Sequence, residues 1–288
     1  MADQLTTGKA PAIAKVVATR RGRLPFLTIL GAGIVLAWAL VAIFAPFLSP
    51  YDPIATDFNA ILQPMSRAHP LGTDSLGHDM LAQIIYGTRV DLSMGLIGVA
   101  APFVIGIIIG IIGGYFGGLL DTLLMRLLDI ALAFPFIVLV LAIVAILGPG
   151  LKNYYIALAI VAWVPYARLV RAETLVLRNL EFVEAARVLG YDSFYIIVRH
   201  VLPNAITPAA VFLMTDIVLT ILLGSGLSFY GLGAQPPTPE WGRLIAQGQT
   251  YISQAWWISV FPGIAIVLMA LGFTLLGDGL AKQLKVRQ

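Results

Sequence analysis

The chain has 288 residues, 59% of them hydrophobic and 11% charged, with a mean hydropathy of +0.91 and a net charge of +3. Soluble domains carry roughly 25% charged residues, so this composition excludes a water-covered globular domain and points to an all-α integral membrane protein. The absence of cysteine excludes disulfides and thiolate metal sites and leaves the redox compartment unread.

The first charge-free run, Leu24 to Leu48, is long enough to cross a bilayer core, which takes about 20 helical residues. Lys9, Lys15, Arg20, Arg21 and Arg23 precede it, but the run is too long for a signal-peptide core and is followed by Ser49-Pro50-Tyr51-Asp52-Pro53 rather than by a small-residue cleavage site. It reads as an uncleaved first helix. Further spans are expected at about Leu92–Leu120, Thr122–Leu147, Asn153–Val170, Ile206–Phe229 and within Ile258–Gly277. That makes six transmembrane helices, the fourth being the shortest.

Lys and Arg set the orientation. With the N-terminus inside, only Arg67, Arg89, Lys152 and Arg243 lie outside, leaving fourteen of the eighteen basic residues in the cytoplasm. Both termini are therefore expected inside. The chain divides into a cytoplasmic tail (1–23), a first helix with an outer loop (24–89), and a five-helix core (90–288) with a cytoplasmic loop at about 178–203. A second outer segment, Gly231 to Trp257, carries "GLGAQPPTPEWG". Its prolines predict a stiff, non-helical excursion. Within the second span, glycines recur at four-residue spacing from Gly106 to Gly118, which predicts close helix packing.

The loop at about 178–203 holds the polar stretch "EAARVLGYDSFYIIVRHVLPNA" from Glu184 to Ala205. "FVEAARVLG" can form two helical turns, with Glu184 and Arg187 paired at i, i+3 and Gly190 as a left-handed stop. Ser193 is placed to cap a second helix through Ile197 and His200, and Pro203 marks the entry to the fifth span. Ala185 and Ala186 make a smooth face on the first helix. Such a knob fits a groove on another protein; the alternative is a solvated loop.

The pattern resembles the E-A-A, Gly, I-x-L-P motif of ABC importer permeases: Glu184-Ala185-Ala186, Gly190 and Leu202-Pro203 fall in step, and Arg199, His200 and Leu202-Pro203-Asn204 are similar to the peptide-permease branch. "HPLGTDSLGHDMLAQIIYGTRVDL" resembles that branch's outer loop, with His78, Ala82 and Gln83 departing from its usual Arg, Ser and Arg. "LSFYGLGAQPPTPEWG" is similar to its second outer segment, although Gly224 stands where many relatives carry an acid. The match runs through nearly the whole chain after about residue 20. It identifies a C-type subunit of a dipeptide/oligopeptide importer. The resemblance implies a heterodimer with a B-type permease, two ATP-binding subunits that hold ATP and Mg, an extracytoplasmic substrate-binding protein, a surrounding lipid membrane and no nucleic acid. It assigns coupling to the ATPases to Glu184, Ala185, Ala186, Arg187, Gly190, Leu202 and Pro203. No G-x-x-x-x-G-K-[ST] stretch occurs, so no P-loop and no cofactor site is expected in this chain.

Other residues leave choices open. Asp216, with Thr220 four residues on, lies mid-span and is either a pathway residue or a satisfied interhelix hydrogen bond. Asp129 is expected to pair with Arg126. Trp241 either gates the outer mouth or anchors in the lipid interface. His69, Asp74, His78 and Asp79 could hold a metal or simply order the outer loop. Two rival readings are an ion-coupled secondary transporter, built around the mid-membrane acids, and a membrane metalloenzyme. Within the importer reading, nickel chelates, glutathione or sugars are alternative cargoes.

Overall fold

A computed structural model describes residues 26–285. The basic tail, with Lys9, Lys15, Arg20, Arg21 and Arg23, lies outside the described residues, as does Arg287. The helices in chain order are α1 (Phe26–Leu48), α2 (Met80–Phe116), α3 (Gly118–Leu132), α4 (Phe136–Leu147), α5 (Leu151–Val161), α6 (Val164–Leu177), α7 (Glu181–Val188), α8 (Ser193–Ile196), α9 (Leu202–Phe229), α10 (Trp241–Gln249) and α11 (Trp257–Lys285). Among the described residues, five helical stretches are long and apolar enough to span a membrane, and α3–α4 makes a sixth if it counts as one crossing. Six crossings return the chain to the side on which it began.

Two expected boundaries move for identifiable reasons. The second span begins twelve residues before Leu92, at Met80, because the Asp79 carboxylate caps it by accepting from the Ala82 N–H at 2.7 Å. The third is not one straight helix. α3 and α4 meet at 82° across Ala133–Pro135; Pro135 has no N–H to continue the ladder and pushes the preceding residue out of the helical region. The fourth is longer than expected, from Leu151 to Leu177, with a turn at Ala162–Trp163 before Pro165.

α2 is the central element, in contact with α6, α9, α5 and α1, while α1 also lies along α11. The glycine face of α2 makes this possible. A Cβ at Gly110 would lie 2.7 Å from the Ala167 carbonyl oxygen of α6, and one at Gly114 would lie 2.7 Å from Thr174 Cβ. Further along, Gly98 leaves room for Thr220 of α9. α1 is mostly exposed, with Phe26, Leu36, Ile43 and Phe47 turned outward, as suits a lipid-facing helix. Pro46 cannot donate to the Ala42 carbonyl one turn back. Arg89 of α2 donates there instead through Nε, and through Nη2 to the Ile43 carbonyl at 3.0 Å.

The outer segment is not wholly non-helical. After the prolines, Glu240 caps α10, its carboxylate accepting from the Gly242 and Arg243 N–H groups at 2.8 Å each.

Candidate functional site

The cytoplasmic corner is built by two stop signals in succession. α7 ends in a double bond pattern: the Gly190 N–H donates to the Arg187 carbonyl at 3.0 Å and the Tyr191 N–H to the Ala186 carbonyl at 3.2 Å. This closure needs a left-handed residue, and Gly190 has φ 84°. The next helix is capped by Asp192, not by Ser193. The Asp192 carboxylate accepts from the Phe194 and Tyr195 N–H groups at 3.1 and 3.3 Å, and Ser193 becomes the first helical residue. Pro203 does not start a separate span. α8, a wide π-type turn at Ile197–Val201 and α9 form one continuous helix from Ser193 to Phe229.

α7 divides into two faces. Val183 and Ala186 are buried with Tyr115, Leu177, Ile196 and Val201. Glu184, Ala185 and Arg187 are exposed. The smooth outer face expected from Ala185 and Ala186 is therefore half right: Ala185 faces out, and Ala186 packs inward because it falls three residues after Val183. The large outward side chains come later, with Val188 88%, Leu189 75% and Phe194 74% exposed. These three side chains flank the turn between α7 and α8. The hydrogen-bond pattern of Glu184 and Arg187 is not the expected pair. Arg187 instead sits over the Tyr115 ring, 5.4 Å from its centroid. Leu202 is partly buried and Pro203 exposed at the root of α9.

The other singled-out residues lie elsewhere. Asp216 accepts from the Tyr166 hydroxyl at 2.7 Å, and Tyr166 is held edge-on by Phe103 and Phe212. Thr220 does not join Asp216 in a polar track: it is buried against Gly98, and its carbonyl accepts from the Tyr154 hydroxyl at 2.6 Å. Asp129 and Arg126 form no ion pair among the described residues; the neighbouring pair is Arg171 with Asp121, bonded through two N–H groups at 2.6 Å each.

Trp241 is neither a free plug nor a lipid anchor. It is fully buried, its backbone N–H donates to Asp91 Oδ2 at 3.2 Å, and its indole Nε1–H donates to the Ile84 carbonyl at 3.1 Å. Trp38 of α1 packs edge-on against it at 5.2 Å. Burial pushes the Glu240 carboxyl up and the Arg243 guanidinium down from their ordinary values. The four outer-loop candidates for metal pair among themselves. His69 Nδ1 lies 2.9 Å from Asp79, and His78 Nδ1 lies 2.8 Å from Asp74. Gln83 donates to the same Asp74 carboxylate at 2.8 Å. The two outer segments meet: Trp257 Nε1–H donates to the Thr73 carbonyl at 3.0 Å. A cleft of about 620 Å³ opens between them, lined by Tyr51, Asp52, Tyr86 and Pro237–Pro239 among others.

Residues 106–287 match the family model described as binding-protein-dependent transport system inner membrane component. The chain belongs to this family. Residues 27–64 also match the N-terminal transmembrane domain of oligopeptide transport permease C, so the first helix and the start of its loop are a recognised addition to the core. The permease is 41% identical over 254 residues to the probable D,D-dipeptide transport system permease protein DdpC of Escherichia coli K12, covering 88% of this chain and 85% of that protein. It is 42% identical to the dipeptide transport system permease protein DppC of Alkalihalophilus pseudofirmus, over 88% and 84%. It is 41% identical to the glutathione transport system permease protein GsiD of Pectobacterium atrosepticum, over 85% and 82%. Among solved structures, an inward-facing MetNI methionine ABC transporter chain is similar in fold, with a TM-score of 0.56 at 18% identity over 73% of this chain and 98% of that one. The permease is thus a multi-pass protein of the bacterial inner membrane with an ABC importer permease fold.

Four residues that organise these regions were not singled out as sites from sequence: Tyr115, Arg178, Asp91 and Glu240. Asp91 carried a signal, being an acid at the edge of a long apolar run. Tyr115 and Arg178 carried none, since only the packing of α6 and α7 on α2 brings them together.

Proposed function

We propose that this chain is the membrane-spanning subunit of an ATP-driven, binding-protein-dependent importer of di- and oligopeptides. The observation that carries the reading is the family match together with an exposed apolar corner on the cytoplasmic side of the spans. The chain forms the translocation pathway with a B-type permease. Two ATP-binding subunits hold ATP and Mg and hydrolyse ATP; this chain binds neither and is not itself an enzyme. An extracytoplasmic binding protein delivers cargo and makes most of the choice between substrates. Similarity to a glutathione permease supports a short γ-linked peptide as a second cargo of the same machinery.

The docking surface is the α7–α8 corner: Glu184, Ala185 and Arg187 with Val188, Leu189 and Phe194, set in place by Gly190 and by the Leu202–Pro203 root of α9. Taking a pathway from 1:99 to 99:1 between inward- and outward-open requires about 5.5 kcal/mol of differential binding. Closure of the ATPase pair on this corner supplies it. Asp216 remains a candidate pathway residue, held in one orientation by Tyr166.

The test is reconstitution in proteoliposomes. Peptide uptake should require ATP, both ATPases, the second permease and the binding protein, and this chain alone should transport nothing. Uptake by the chain alone, driven by an ion gradient, would favour a secondary transporter. Leu189→Glu places a charge in the apolar corner and should weaken ATPase capture in detergent pull-downs about tenfold, the scale of a single interface hot spot. Gly190→Val, at a left-handed position, should abolish import with the chain still inserted. Normal capture and uptake in both variants would reduce the corner to a solvated loop.

A further inference from the structure

The docking corner and the outer segment lie on opposite faces, yet both are bonded to one helix. α2 has 37 residues, about 55 Å at 1.5 Å per residue. At its inner end, Arg178 Nη1 donates to the Gly114 carbonyl at 2.8 Å and reaches the Tyr115 carbonyl at 3.5 Å. These carbonyls belong to the last turn of the helix, which has no intrahelical donors left for them, and the helix stops at Gly117, with φ 66°. Arg187 lies over the Tyr115 ring, 5.4 Å from its centroid. The ring itself is buried against Val183 and Ala186. Arg178 precedes α7 by three residues and Arg187 lies in its last turn, so α7 is tied to the end of α2 near both of its own ends.

At the outer end, the same helix holds the Pro-rich segment. Trp241 bonds Asp91 and the Ile84 carbonyl. A Cβ at Gly87 would lie 2.9 Å from the Trp241 ring, so the segment is seated directly on α2. Ser225 of α9 donates to Asp91 at 3.2 Å and completes the joint. Pro102 interrupts one rung in the middle, but the helix runs unbroken through it.

We infer that α2 is the rod carrying displacement of α7 to the outer Pro-rich segment, and that Tyr115 is the positioning residue that receives it from Arg187 and Arg178. This rests on the proposed docking of ATPases on α7. Coupling of this kind needs an element that both sites bias, and α2 is bonded to both.

The absence of native cysteine makes the test direct. Thr238, exposed in the outer segment, is replaced by cysteine in the assembled four-subunit transporter. Its labelling by a membrane-impermeant maleimide is then followed with and without ATP and vanadate. The unmodified pathway should show a nucleotide-dependent change in labelling rate. Tyr115→Leu should shrink that change, and the peptide imported per ATP hydrolysed, about fivefold or more, while ATPase capture in pull-downs persists. Tyr115→Phe keeps the ring and should restore both. Arg178→Met, on the half-buried end of α6, should act like Tyr115→Leu, and decides the matter if the leucine variant does not assemble. Three results overturn the inference: no nucleotide-dependent change at position 238 in a transporter that imports, a full change in Tyr115→Leu or Arg178→Met, or loss in Tyr115→Phe equal to that in Tyr115→Leu. Failure of the unmodified chain to bind ATPases sinks the importer reading instead.

Discussion

The inner corner and the outer segment are both short excursions between membrane helices, and both carry aromatic and apolar residues. The Pro-rich half of the outer segment and the inner corner use them in opposite ways, although Ile252 and Trp256 further along the outer segment are exposed. The outer segment turns its Trp241 fully into the chain's own core and bonds both of its N–H groups. The inner corner buries only Val183 and Ala186 of α7 and leaves Val188, Leu189 and Phe194 open. The difference teaches which surface is complete within the subunit. Burial of an aromatic with satisfied donors is an intramolecular joint, whereas the open apolar residues at the α7–α8 turn are the surface proposed above to dock the ATPases.

The sharpest way to break this contrast is Trp241→Ala. It removes a fully buried indole and its bond to the Ile84 carbonyl, which keeps the Thr88 hydroxyl as a donor, and should destabilise the detergent-solubilised chain by about 3–5 kcal/mol. Thermal unfolding measures it. A stable Trp241→Ala chain that merely transports faster or slower would return the residue to the role of a gate. Arg89→Met should cost less, about 1–3 kcal/mol, because it orphans the Ala42 carbonyl, whose helical donor position is taken by Pro46. The same unfolding assay applies, and α1 should become more accessible to protease. Leu189→Glu, on the exposed corner, should change stability by no more than about 0.5 kcal/mol, even as it weakens ATPase capture. Equal losses of stability in Leu189→Glu and Trp241→Ala would erase the distinction between the two regions.

The smallest expected effect is a pH dependence at the outer joint. Burial raises the Glu240 carboxyl above its ordinary 4.5. The folded state therefore holds that proton more tightly than the unfolded one. Its contribution is most favourable below pH 4.5 and is lost as pH rises through the folded value. Glu240→Gln, which keeps an acceptor at the cap, should flatten this decline in a melting series from pH 4 to 8. An unchanged slope would assign the pH dependence to other groups.

The sequence by itself determined the class, the number of crossings and the place of the turn at Gly190 between α7 and α8. Apolar runs of bilayer length admit little but helices, since every backbone group in lipid must be bonded within the segment. The basic asymmetry and Gly190 are likewise local signals, read from single residues and their neighbours. The tertiary structure alone decided what each marked side chain faces. Trp241 looked like a free aromatic in a proline-rich loop until α2 was placed beneath it. Asp192 rather than Ser193 caps α8, a choice between adjacent residues that turns on backbone geometry. Asp129 and Arg126 share a helix but do not pair, while Arg171 finds Asp121 fifty residues away. The bend at Pro135 splits a run that hydropathy reads as continuous. For Trp241 and for Arg171 with Asp121 the physical reason is shared: sequence spacing fixes which residues can share a face, but which partner occupies that face is set by helices far apart in the chain. The Asp192 cap and the Pro135 bend are instead settled by local backbone geometry.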